Sequence, residues 1–320
     1  MSPALAVGTA LLLGQVDAGY FREQTPDGGH CLRWPVNART LGEVTFVQSA
    51  AGDVFLGPRL FDAVSRAEGA WAEKARACSA LKLNEGPRSA SRVTGYDPEG
   101  ENENLVLVRI NDCFFLVGPG DPCLASGSCG NVYDCWDHGA ALLAITLLTY
   151  DSNGVLLDVD IEINGALSYL SVVDSPPCTP GHVTRSCVGN DAQNTVTHEF
   201  GHALGLAHSP DPASTMYAIA PLGETSKRVL DPASAQFVCD VYPAGRPSRD
   251  CSGADLVSGG PGDGGADPPD GGPGPPTPGV GPSGPGCTSA AQSAPAAVLL
   301  AAVVLLLGTR GRAARRPRPD

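Results

Sequence analysis

The chain has 320 residues, a formal net charge of −13 and a hydrophobic fraction of 42%, the composition of a folded globular protein. Phosphate binding needs a basic surface, so acidity on this scale excludes nucleic acid as a partner. Eleven cysteines without a Cys-x-x-Cys pair exclude a zinc ribbon or a thioredoxin-like redox centre and point to disulfides in an exported protein.

Residues 1–18 hold an apolar run, Ala4 to Leu13, and end in Val16-Asp17-Ala18, which suits signal peptidase. They are expected to be a signal peptide, although no Lys or Arg precedes the apolar run. One domain is expected over residues 19–257. Cys31, Cys78, Cys113, Cys123, Cys129, Cys135, Cys178, Cys187, Cys239 and Cys251 make an even set of ten within it. Cys178 with Cys187, and pairing within Cys113 to Cys135, would close short loops; spacing leaves the connectivity open.

Helical spacing of Leu60, Val64, Ala67 and Trp71 predicts a long amphipathic helix over Leu60 to Ala77. Leu105 to Ile110 and Ala144 to Tyr150 read as strands. The turn Asp151-Ser152-Asn153-Gly154 then leads into Val155 to Ile163, where apolar residues alternate; this hairpin is a candidate sheet edge. Asp158, Asp160 and Glu162 share one face of its second strand.

The most informative stretch runs from His198 to His208. On a helix, His198 and His202 project from one face and can reach one metal at roughly 2 Å. Glu199, beside them, is offset from that metal and placed to take a proton from a water held on it. Gly205 has no Cβ, so the chain can turn back there and deliver His208 as a third nitrogen. Three protein ligands leave a coordination position open, the arrangement of a catalytic zinc. Met216 comes next in Ser214-Thr215-Met216-Tyr217, and a final helix is expected near Asp231 to Cys239.

Residues 258–286 are almost wholly Gly, Pro, Asp and Ser, the composition of a linker. Residues 287–320 comprise Cys287, an apolar segment from Ala294 to Gly308, and Arg310, Arg312, Arg315, Arg316 and Arg318. As a helix the apolar segment would rise about 22 Å, short of a bilayer core of about 30 Å unless the small residues from Ser289 onward join it. The arginines would stay cytoplasmic and the domain outside.

The His198 to His208 stretch resembles the zinc signature of the metzincin metallopeptidases, and Met216 resembles the Met-turn beneath the metal in that clan. Ser209, after the third His, is similar to the matrixin branch. The resemblance implies an α+β fold with a twisted mixed sheet, a long helix, a zinc-binding active-site helix, the Met-turn and a C-terminal helix. It implies a zinc endopeptidase, with protein or peptide substrates, Glu199 as general base, and a specificity pocket formed partly by Tyr217 to Lys227. Gly154 to Asn164 resembles the Gly-x-x-x-Asp-x-Asp-x-x-x-Asn region of matrixin-like proteins, which often lies near calcium; Asp158, Asp160 and Glu162 are the candidate ligands. The same alternation also describes the solvated face of a strand. The structural-zinc pattern of vertebrate matrixins is absent, since His30, His138 and His182 are scattered. No Pro-Arg-Cys-Gly switch is present, and Cys31 is expected in a disulfide rather than on zinc.

Linker, Gly-Cys, apolar segment and arginines together resemble the myxobacterial C-terminal sorting signal, MYXO-CTERM. This implies recognition at Cys287 by a sortase-like membrane enzyme and a secreted, surface-attached protein; an ordinary single-pass anchor is the alternative. Two other functions stay open: a zinc-stabilised adhesion or binding module that cleaves nothing, and an amide hydrolase acting on cell-wall links.

Overall fold

Strand-forming alternation and one long amphipathic helix organise the molecule. The computed structural model describes residues 19–36, 42–251 and 288–289. The expected signal peptide, the linker, Cys287 and the apolar and arginine-rich tail lie outside the described residues. Among the described residues no helix is long and apolar enough to cross a membrane.

The sheet contains β1 (Gly42–Gln48), β2 (Leu81–Glu85), β3 (Asn104–Arg109), β4 (Ala144–Tyr150) and β5 (Leu156–Asn164), ordered β2-β1-β3-β5-β4. All neighbours run parallel except β4, which pairs antiparallel with β5 and carries a register shift at Thr149/Tyr150. The hairpin therefore places β4 at the edge and β5 in the interior. The reason lies in β5 itself: it also pairs with β3 from Val106 to Arg109, and it is buried on both faces because α5 (Ala192–Ala203) covers one and residues 94–95 cover the other.

Helix α1 (Pro58–Cys78) starts with Pro58 in its first turn and buries Leu60, Val64, Ala67 and Trp71, as their spacing predicts. It packs along β2, on α5 (Ala192–Ala203) and on α6 (Pro232–Val241). Phe46 from β1 meets Phe200 of α5 edge to face at 5.0 Å. Buried aromatics also bond carbonyls of α5 and its cap: Trp71 Nε1 donates to Thr197, Trp34 Nε1 to Ala203, and the Tyr242 hydroxyl to Leu204, at 2.9, 2.9 and 2.7 Å. The last two satisfy carbonyls that a helix end leaves without an internal partner, so they hold the end of α5 in register with the core.

The opposite face of the sheet is covered by residues 92–95 and by α4 (Cys129–Tyr133), against which two more short helices pack, α2 (Cys113–Leu116) and α3 (Pro122–Ser126). Bridges Cys113–Cys135 and Cys123–Cys129 staple this insertion, and Cys178–Cys187 closes a third short loop. Cys78–Cys239 joins α1 to α6, and Cys31–Cys251 joins the ends of the described domain. The five bridges use all ten expected cysteines, and Cys31 is not free to bind zinc. Small pairings complete the fold: β6 (Leu170–Ser171) with β7 (Asn190–Asp191), and β8 (Ile219–Ala220) with β9 (Thr288–Ser289).

Candidate active site

Helix α5 is capped by Asp191, whose carboxylate accepts the Asn194 N–H at 2.8 Å and also pairs with Arg228. At the other end, Gly205 N donates to the His202 carbonyl at 2.8 Å and Leu206 N to the Gly201 carbonyl at 3.0 Å, a Schellman ending. Gly205 adopts φ +98°, and a Cβ there would lie 2.3 Å from the Leu32 carbonyl oxygen. Only glycine fits this turn. The strap from Tyr20 to Thr25 holds the segment beyond it, with Glu23 N donating to the Gly205 carbonyl and Ala207 N to the Phe21 carbonyl, each at 2.9 Å.

The turn brings His208 back to the helix. His198 Nε2 lies 3.1 Å from His202 Nε2 and 3.2 Å from His208 Nε2. His198 Nδ1 is 2.7 Å from the Thr215 carbonyl oxygen, and His202 Nδ1 is 2.8 Å from that of Leu206. Carbonyls only accept, so both Nδ1 atoms carry hydrogen and, in the neutral rings, both Nε2 atoms present lone pairs. Burial first, then the neighbouring imidazoles, holds the pKa of His198 well below the ordinary value; burial, His202 and Lys227 push that of His208 down to about 3. At His202 burial is outweighed by Glu23, whose carboxylate lies 3.5 Å from Nδ1, and by Glu199, so positive charge is favoured there. Three imidazole nitrogens gathered at 3.1 to 3.2 Å make a pocket suited to a cation. The donor set fits zinc.

Glu199 is fully buried, and its Oε2 accepts a 2.7 Å hydrogen bond from Thr146 Oγ1 on β4. Met216 is also buried, and its backbone carbonyl accepts from Ser209 N at 2.8 Å, which ties the turn to the residue after His208. Its thioether lies against Gly201, where a Cβ would meet Met216 Sδ at 2.2 Å. Thr146, Glu23 and Gly201 carry no motif that would have singled them out; their roles come from a neighbouring strand, the strap and a backbone contact.

The carboxylates of β5 behave differently from expectation. Asp158, Asp160 and Glu162 are buried, so they are not a solvated face. Asp160 accepts the backbone N–H groups of Gly95 and Leu105 at 2.5 and 2.8 Å. Burial raises the Asp158 pKa to about 6, and burial beside Asp158 raises that of Asp160. Glu162 instead accepts from Arg109 and Thr94. Among the described residues, Asp158 and Asp160 join no group of three ligand atoms around one point.

Helix, turn, strap and three inward nitrogens assemble a donor set that can hold one metal ion. The matrixin family model matches residues 150–242, from the end of β4 to the end of α6. That segment contains His198, Glu199, His202, His208 and Met216, so the region is matrixin-like, and the match supports a metallopeptidase that uses zinc.

Proposed function

We propose that the protein is a secreted, surface-anchored zinc endopeptidase that hydrolyses peptide bonds outside the cell. The observation that carries this reading is the convergence of three histidine nitrogens at 3.1 to 3.2 Å, with the buried carboxylate of Glu199 on the same helix. His198, His202 and His208 would hold the metal. When bound, zinc supplies Lewis acidity toward a carbonyl and lowers the pKa of water. Glu199 takes the proton of the attacking water and passes it to the leaving amine. Thr146 fixes the carboxylate that does so. β4 lies at the sheet edge beside α5, so an extended peptide laid along it would pair as an added strand next to Glu199. Export is supported by five disulfides, and surface attachment by the composition of residues 258–320.

The test is metal content and cleavage of a mixed peptide library by the secreted protein and its Glu199→Gln variant, each with and without a chelator. Zinc retained in both, with cleavage lost in the variant by several orders of magnitude, supports the peptidase. Zinc bound with no cleavage by either protein overturns it in favour of a binding module.

A further inference from the structure

The stapled insertion brings a second set of metal-binding groups together, 24 residues apart in sequence between His138 and Glu162. Asp137, His138 and Glu162 present one ligand atom each, all within 4.8 Å of one another. His138 Nε2 lies 3.5 Å from Asp137 Oδ1 and 3.6 Å from Glu162 Oε2. These separations exceed those of hydrogen bonds, which run to about 3.2 Å. They match the edge of a tetrahedron with metal bonds of about 2.0–2.2 Å, which is about 3.3–3.6 Å.

Each ligand is held from behind. Asp137 Oδ2 accepts the Gly130 N–H at 2.7 Å, which turns Oδ1 toward His138. The His138 ring packs edge to face on buried Trp136, with centroids 4.9 Å apart. Glu162 is fixed by Thr94 Oγ1 at 2.7 Å and by Arg109, at 2.7 Å to Oε1 and 3.1 Å to Oε2. Such outer contacts orient ligands in metal sites. The nearby guanidinium does not make the pocket cationic: Arg109 also bonds Asp134 at 3.0 Å, and Arg92 bonds it at 2.7 Å. Asp134, Asp137 and Glu162 thus outnumber the two arginines. Asp137 and His138 keep side-chain exposures of 17% and 24%, enough for an ion to enter from solvent.

We propose that Asp137, His138 and Glu162 bind a second divalent transition ion, zinc by the match of one imidazole and two carboxylates. It pins the cysteine-stapled insertion to the interior strand β5 and is independent of the triad and of the proposed peptidase activity.

The test uses the tag-free secreted chain, loaded with zinc, freed of excess by gel filtration and assayed for zinc per molecule. Wild type is expected to hold two, His138→Gln one, and a His198→Gln/His202→Gln variant one. If His138→Gln does not fold, Asp137→Asn gives the same measurement. One zinc in wild type, two in a folded His138→Gln or Asp137→Asn variant, or none in the double variant overturns the site, leaving His138 as an imidazolium between two carboxylates.

Discussion

Thr146 and Glu199 belong to different elements, the edge strand β4 and the helix α5, and are joined by a 2.7 Å hydrogen bond from hydroxyl to carboxylate. A carboxylate that must move a proton is useful only in one orientation, and here a cross-element hydroxyl sets it. A hydrogen bond to a charged group contributes about 1.5–3 kcal/mol. Thr146→Val, close in shape, should therefore lower kcat by roughly 10- to 100-fold while KM and zinc content stay near wild type. Thr146→Ser should recover most of the loss, and the acidic limb of the pH profile should move upward in the Val variant. Equal kcat and an unmoved profile in Thr146→Val would remove Thr146 from the mechanism.

Gly201 and Met216 make the second prediction. A methyl at Gly201 would sit 2.2 Å from Met216 Sδ and 3.2 Å from Trp71 Cζ2. Gly201→Ala alone should cost about 1–3 kcal/mol of stability, the usual penalty of overpacking. Adding Met216→Ala should restore part of that loss, giving a favourable coupling in a double-mutant cycle read from denaturant midpoints. Strict additivity would show that the thioether is not what α5 rests on.

Glu68 makes the third. It lies on the buried face of α1, and burial, then the nearby charge of Glu85, raises its pKa to about 7. The folded state holds this proton more tightly than the unfolded chain, so stability falls as pH rises from about 4.5 toward 7 and stays reduced above it. Glu68→Gln removes the penalty. Its melting temperature should equal wild type near pH 4 and exceed it at pH 8, by the equivalent of about 3 kcal/mol. A gap that is constant across this range would refute the assignment.

The metal triad is legible in the sequence because its spacing alone places His198, His202 and His208, and because Gly205 marks the turn between them. Helix α1 and strand β4 are legible from periodicity, and their observed bounds differ from expectation by no more than two residues. Thr146 is not legible, since one threonine in an apolar strand has no pattern until the sheet packs on α5. The β5 carboxylates mislead for a related reason: alternation says that two faces differ, not whether solvent or an inserted segment covers the polar one. His138 looks scattered in sequence because its partners Asp137 and Glu162 meet it only once the Cys113–Cys135 bridge and the β4–β5 hairpin have formed.

The Cys31–Cys251 bridge spans 220 positions. Nearly every peptide bond of the domain, including those flanking Gly205, lies inside that covalent ring. A single cut within the ring therefore opens the loop without releasing either piece, and the molecule keeps its mass until the sulfurs are reduced. For a chain that we propose severs peptide bonds, this means self-inflicted nicks would pass unseen on a non-reducing gel and appear only after a reductant is added.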